Sequence, residues 1–304
     1  MDQVGLVTVT YNSEEVLPSF LECVWKQTFS NFLLYVIDNA SNDGTINILK
    51  EHKDDRLRVF FNKKNVGVAA GNNQGVKNAI SDNCTHILII NNDVEFEQSL
   101  LDKLLVFQKE QKCSIVAPKI KYYNIQDTIW YAGSQFDLTK GYLPVHIGMR
   151  QKDIGQFDST KIVEYAPTCC VLICKNVFLD IGYMDEKFFV YFDDVDFFYR
   201  ILKDKRHKIY YYPHVEFYHK VGSLTDSISQ QDSNNYRGDF FLKQNIRNHI
   251  YFLKKIGGGL SYFFIFWFLF RNNIRFLISS NIRKDFSTFI LINKAYLSGI
   301  RMKV

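Results

Sequence analysis

The chain has no C-x-x-C pair, no glycine-rich loop of the P-loop kind and no apolar run long enough to cross a bilayer. Each absence removes a class of function. The six cysteines (Cys23, Cys84, Cys113, Cys169, Cys170 and Cys174) have neither paired spacing nor histidines beside them, so a zinc site and a disulfide framework are both poor readings. A reducing cytosol is the expected compartment. The segment Gly67-Val68-Ala69-Ala70-Gly71-Asn72-Asn73-Gln74-Gly75 lacks the Gly-Lys-Ser/Thr ending of a triphosphate cradle, and it does not follow the first strand as a dinucleotide fingerprint does. ATPase and dehydrogenase chemistry are thereby excluded. The opening Met1-Asp2-Gln3-Val4 is acidic and leads straight into a strand-like run, so no secretory leader is expected and the protein should stay inside. The apolar stretch Leu260 to Phe270 covers 11 residues, against the roughly 20 needed to span a bilayer.

Within 304 residues, 47% hydrophobic and 23% charged content is that of a folded globular chain, and 27 Phe with 18 Tyr make it unusually aromatic. The formal charge of +5 is modest, but basic residues thicken toward the C-terminus at Lys254, Lys255, Arg271, Arg275, Arg283, Lys284, Arg301 and Lys303. That asymmetry favours an anionic surface as partner.

Short runs rich in β-branched and aromatic residues read as buried strands at Leu6 to Thr10, Leu33 to Ile37, Leu57 to Phe61, Ile87 to Ile90 and Ile115 to Ala117. Helical spacing fills the gaps at Ser13 to Gln27, Thr45 to His52, Val68 to Ile80 and Glu97 to Gln111, with Ser13 as the expected cap of the first. Strand and helix alternate, which predicts a mostly parallel sheet with helices on both faces and a ligand at the carboxyl ends of the strands. Polar groups stand at those ends: Thr10-Tyr11-Asn12, Asp38-Asn39-Ala40-Ser41, Asn62 and Asn91-Asn92-Asp93. From Lys121 to Ile162 the periodicity fades into glycine-punctuated hairpins and loops. A strand at Cys170 to Cys174 then leads to the acidic, aromatic segment Phe188 to Asp196, read as the start of a helix.

Asp93, after an apolar strand and beside two amides, suits Mg²⁺ or Mn²⁺, which take oxygen ligands and often only one or two protein carboxylates beside phosphate. Asn-Asn-Asp is equally ordinary turn chemistry. Asp38 ends a strand and, as a pure acceptor, can take the imide N–H of uracil or thymine, while Ser41 or Asp43 can simply cap the next helix. Gly67, Gly71 and Gly75 recur every fourth residue, which lets a helix approach a sheet or a ligand. Asp193, Asp194 and Asp196 crowd like charges into one turn and so favour a raised pKa, the property of a general base. Asp196 can instead pair with Arg200. His219 ends another apolar run and can be a metal ligand or a structural histidine.

In their order and spacing, Val9 to Asn12, Ile37 to Thr45, Asn65-Val66-Gly67 with Gly71-Asn72-Asn73, Asn91 to Val94 and Phe188 to Arg200 resemble the family 2 inverting glycosyltransferases. The resemblance covers about Val4 to Leu253 and is to the non-processive branch with bacterial rhamnosyltransferase-like enzymes of surface polysaccharide assembly. It implies a GT-A fold over residues 1–240, with nucleotide-sugar binding in about 1–118 and the acceptor and catalytic half in about 119–240. Thr10, Tyr11, Asn12, Asp38, Asn65, Gly71, Asn72, Asn92 and Asp93 would then bind the nucleotide-sugar. Asp93 and His219 would hold the divalent metal, Asp194 would be the base, and Asp193, Cys169 and Cys170 would face the acceptor. The implied donor is a UDP- or dTDP-sugar, dTDP-L-rhamnose by the branch, and the acceptor a glycan or lipid-linked glycan. Nucleic acid is not an expected partner.

The chain departs from the family pattern at Asn91, where an acid is common in the metal motif, at Asp193, where Glu is common, and at Cys169-Cys170, where small residues are common. No Gln-x-x-Arg-Trp segment of processive synthases occurs. Residues 241–304 read as a helical, aromatic and basic extension lying in the inner face of the cytoplasmic membrane, with core packing or a homodimer contact as the alternative. Two other functions compete. A sugar nucleotidyltransferase needs a glycine-rich, basic loop after the first strand, where this chain has Tyr11-Asn12-Ser13-Glu14-Glu15; a catalytically silent membrane scaffold is separable only by assay.

Overall fold

Val4, Leu6 and Val7 are fully buried, as a strand covered on both faces requires, and they begin the first of the strands around which the chain is built. A computed structural model describes residues 2–220, 236–278 and 286–304. The strands are β1 Val4–Thr10, β2 Phe32–Asp38, β3 Leu57–Phe61, β4 His86–Ile90, β5 Val94–Phe96, β6 Ile115–Pro118, β7 Ile120–Tyr122, β8 Ile129–Tyr131, β9 Ser134–Asp137, β10 Leu143–His146, β11 Lys161–Val163, β12 Cys170–Cys174, β13 Ile209–Tyr212 and β14 Phe217–His219. The helices are α1 Leu17–Trp25, α2 Thr45–Glu51, α3 Val68–Ser81, α4 Leu100–Gln111, α5 Lys175–Ile181, α6 Asp193–Asp204, then α7 Tyr236–Ile256, α8 Gly259–Ile278 and α9 Phe286–Arg301.

Contacts divide the described residues into two units, the first holding residues 2–136, 144–189 and 193–220. Its main sheet has eight strands in the order β11-β13-β6-β12-β4-β1-β2-β3. The strands β4, β1, β2 and β3 run parallel to one another. β12 runs antiparallel between β4 and β6, pairing Cys170 with Ile90. That inversion brings the start of β12 to the carboxyl end of β4, where the Asn91 N–H donates to the Cys169 carbonyl at 3.1 Å. A second sheet, in the order β5-β14-β7-β8, pairs His219 with Val94. A histidine far along the chain therefore lies beside the residue that follows Asp93.

Helix α1 starts at Leu17, four residues after the expected cap, and no side chain caps it. Pro18 in its first turn supplies a pre-set φ and needs no N–H partner there. The Ser13 hydroxyl is used elsewhere, accepting from the Tyr11 N–H at 3.2 Å and from the Asn92 amide at 3.2 Å. Helix α3 lies close on β1: a Cβ on Gly71 would come within 2.7 Å of Val9 Cγ2, and one on Gly75 would overlap Val7. The glycine spacing is thus explained at those two positions by approach to the sheet.

The second unit comprises residues 137–143, 190–192 and the three C-terminal helices. Its core gathers Ile250, Leu253, Phe264, Ile265 and Tyr296. A Cβ on Gly299 would meet the Arg247 carbonyl at 2.5 Å, so α7 and α9 cross at close range. The buried Asn248 amide donates to the carbonyls of Val190 and Tyr191, both at 2.8 Å. No described helix is long and apolar enough to cross a membrane. Arg283 and Lys284, counted in the basic C-terminal set, lie outside the described residues.

Candidate active site

The ends of β1 and β2 are tied by a polar cluster. Asp38 is fully buried, and its carboxylate accepts from the Thr10 hydroxyl (3.0 Å), the Ser41 N–H (3.0 Å) and the Ser41 hydroxyl (2.5 Å). The Ser41 oxygen in turn accepts from the Asn12 N–H at 2.9 Å, and Asn12, in the left-handed region at φ 51°, accepts the Asn42 N–H at 2.9 Å. Asp43 accepts the Thr45 N–H at the start of α2, so Asp43 and not Ser41 serves that helix end. Tyr11 is exposed beside this cluster.

Next along the strand ends, Gly67 has φ 89° and hands the chain into α3 while the Asn65 side chain accepts its N–H at 2.9 Å. The Phe189 carbonyl accepts the Val68 N–H at 2.6 Å, joining the first turn of α3 to the segment before α6. Asn72 is buried with its amide directed at Met184 Sδ, and Asn73 bonds the Met184 backbone through both amide atoms. Asn65, Gly71 and Asn72 therefore all carry contacts within the protein that shape this rim.

Asp93 is 5% exposed, and its Oδ1 lies 3.4 Å from His219 Nε2. Asp93 Oδ1, His219 Nδ1 and Asn92 Oδ1 are buried with no hydrogen-bond partner among the described residues. Buried polar atoms left unpaired are costly unless something else meets them. The Asn92 amide donates to the Val9 carbonyl at 3.0 Å, pinning this turn to β1, and the Trp130 ring stands edge to face with His219 at 4.9 Å.

Helix α6 opens with Asp193, Asp194 and Asp196 in its first turn, and Asp196 is bound by Arg200 at 3.0 Å as the i,i+4 spacing allows. Asp194 is half-buried; it accepts from the Tyr165 hydroxyl at 2.5 Å and from the Val195 N–H at 2.8 Å. Burial pushes both Asp193 and Asp194 above the usual carboxylate range, and for Asp193 the Asp194 charge adds to it. Burial, more than the like-charge crowding expected from the sequence, is the larger cause. The Cys169 thiol, raised first by burial, then by Cys170, is pushed further by the charges of Asp93 and Asp194. Cys169 thus lies within electrostatic reach of both acids, and all six cysteines are free thiols.

The sequence profile of Glycosyl transferase family 2 matches residues 6–182, more than half of the chain. The chain belongs to glycosyl transferase family 2. It is 24% identical over 205 residues to the low-salt glycan biosynthesis hexosyltransferase Agl10 of Haloferax volcanii, covering 67% of this chain and 63% of that protein. It is 25% identical over 186 residues to the putative teichuronic acid biosynthesis glycosyltransferase TuaG of Bacillus subtilis, covering 57% and 73%. The chain therefore spans less than two thirds of Agl10. Among solved structures, S. aureus TarS 1-349 superposes with a TM-score of 0.58 at 16% identity, over 98% of this chain and 81% of that one. GalNAc-T7 with UDP, GalNAc and Mn²⁺ superposes with a TM-score of 0.58 at 14% identity, over 72% and 44%. These neighbours share the GT-A fold with this family 2 chain, as the motif order implied.

A divalent cation is the cofactor this fold implies, and the unpaired Asp93 Oδ1 beside His219 Nε2 fits one: a hard carboxylate oxygen and an imidazole nitrogen close enough to share an ion. No described group of three or more His, Cys, Asp or Glu side chains is suited to hold a metal. Asp93 and His219 are the described residues that would hold such an ion. Sequence reasoning missed Tyr165. It lies in the irregular segment between β11 and β12, and nothing in its sequence neighbours distinguishes it from the other 17 tyrosines.

Proposed function

We propose that this family 2 protein transfers a single sugar from a UDP- or dTDP-sugar to a glycan or lipid-linked glycan acceptor, with inversion. Asp194 accepts the proton of the acceptor hydroxyl as that oxygen bonds to the anomeric carbon and the bond to the diphosphate oxygen breaks; single displacement inverts the centre. Its raised pKa, its partial exposure and the Tyr165 donor that fixes one oxygen support this role. Asp93 and His219 hold Mg²⁺ or Mn²⁺, which when bound offsets the charge gathering on the departing nucleoside diphosphate. Asp38 offers its acceptor oxygens to the pyrimidine imide once the Ser41 hydroxyl turns away, and Thr10, Tyr11, Asn12, Asn65, Gly71, Asn72 and Asn92 shape the donor rim. About residues 119–240 would supply the acceptor half, with Asp193, Cys169 and Cys170 bordering the acceptor.

The observation that carries the reading is the buried Asp93 Oδ1, 3.4 Å from His219 Nε2 and without a hydrogen-bond partner among the described residues, together with the Tyr165 hydroxyl held on Asp194. Exposed Phe263, Phe266 and Phe270 support peripheral attachment at the inner face of the cytoplasmic membrane, with a homodimer contact as the competing use. Screening UDP- and dTDP-sugars, dTDP-L-rhamnose included, by thermal shift identifies the donor, and Asp194→Asn is expected to lower transfer at least about a hundredfold. Full activity of that variant removes Asp194 from the mechanism.

A further inference from the structure

The C-terminal unit holds a cavity of about 430 Å³ lined by none of the residues assigned above to the donor, the metal or the base. Its size is that of a small-ligand site, usually about 300–1,000 Å³. Phe192, Phe264, Trp267 and Phe268 give it aromatic walls, and Lys140 and Arg271 also line it, whereas no Asp or Glu does. Both cations are exposed, which places them at the mouth. Lys140 is 3.1 Å from Asp137, an acid outside the lining, while Arg271 lies over the Phe268 ring at 5.0 Å and has no carboxylate partner among the described residues. Deeper in, His249 donates from Nε2 to the Gly141 carbonyl at 2.7 Å, and burial lowers its pKa to about 4, so it adds no charge at neutral pH. The polarity is therefore graded, apolar within and cationic at the opening. Trp267 is both a wall and 43% exposed, and it continues into the outward-facing Phe263, Phe266 and Phe270.

We propose that this cavity binds the head of a single-chain lipid phosphate, with the aromatic walls around the first part of the chain and Arg271 and Lys140 on the phosphate. The proposal deepens the lipid-linked acceptor reading above and rests on it for its purpose. A free sugar would meet the amides of Asn245 and Asn272 but no carboxylate, and would leave the Arg271 charge unmatched. An inorganic anion would leave the aromatic walls wet. A neutral chain would leave Arg271 without a counter-charge, and an amphiphile with an anionic head satisfies both ends.

The test uses the full chain and dodecyl phosphate below its aggregation concentration, with binding read by quenching of tryptophan fluorescence from a bromine-labelled chain. Saturable quenching is expected, weakened about tenfold by Arg271→Ala, the usual worth of one charge-assisted contact. It should also be lost on filling the cavity by Asn245→Trp, with the folded state of each variant checked by its melting temperature. Dodecyl maltoside binding as tightly as dodecyl phosphate, with no effect of Arg271→Ala, overturns the proposal in favour of a plain apolar surface. Inorganic phosphate competing at equal concentration also overturns it, in favour of an anion site without a lipid. Stabilisation of the wild type by UDP or dTDP is measured alongside. If the nucleotide binds and dodecyl phosphate does not, the cavity assignment fails while the transfer reading stands; the reverse result removes the donor reading and leaves the cavity assigned.

Discussion

Replacing Tyr165 with Phe removes one oxygen atom from the site and should move the pH dependence of catalysis more than its ceiling. The Tyr165 hydroxyl donates to Asp194 Oδ2 at 2.5 Å and so favours the charged carboxylate, opposing the upward push of burial. A hydrogen bond to a charged group contributes about 1.5–3 kcal/mol, equivalent to roughly one to two pH units. Without that donor the Asp194 pKa rises further, and a base that must be deprotonated loses activity at a higher pH on the acid side. The acid limb of kcat/KM is expected to shift up by about one unit, while the plateau above it changes little. Because the Asp194 charge raises the adjacent Asp193, the limb reports the pair. The ring's edge contacts with Phe136 and Phe198, and the Tyr131 hydroxyl donated to the Tyr165 backbone carbonyl, are untouched by the change. An acid limb that stays put, or a plateau that falls as far as in Asp194→Asn, refutes the positioning role.

Asp193 is buried with Oδ2 unpartnered and its pKa raised, so the folded chain keeps a proton that the unfolded chain releases. Its contribution is whole below about pH 4 and is lost as pH rises through the raised value. Asp193→Asn should therefore raise the melting temperature at pH 9 and leave it nearly unchanged at pH 4; equal effects at both contradict the assignment. Mn²⁺ should add to the stabilisation given by UDP in the wild type and fail to do so in His219→Ala, with transfer lowered about a hundredfold by that variant or by chelator. Undiminished activity in chelator ends the metal reading. Serine at Phe263, Phe266 and Phe270 together should release the protein from anionic vesicles, and unchanged co-sedimentation would end the interfacial one.

The strands of the main sheet were legible because they are short apolar runs closed by polar groups, and β3 and β12 fall on the residues expected. Hydrogen-bond supply was not legible. Ser13 looks like a cap, yet its hydroxyl is spent between Tyr11 and Asn92, and the helix begins at Leu17 with Pro18 in its first turn. Strand direction was hidden as well: β12 reads as any buried strand, and its antiparallel place between β4 and β6 is decided by the aperiodic residues that lead into it. For the same reason composition could place neither Tyr165 on Asp194 nor Cys169 near both acids. His219 could be paired with Asp93 only through the family resemblance, because the register His219 to Val94 joins segments more than a hundred residues apart.

The fit of α3 on β1 has a consequence for how such chains diverge. Val9 occupies the space that any side chain at position 71 would need, and Val7 does the same for position 75. Enlargement on the helix therefore calls for trimming on the strand, and the reverse. Positions 9 and 71, and 7 and 75, are expected to mutate as complementary volumes, so a homologue with alanine at 71 should carry a residue smaller than valine at 9. Each pair ties the first half of α3 to the strand it covers.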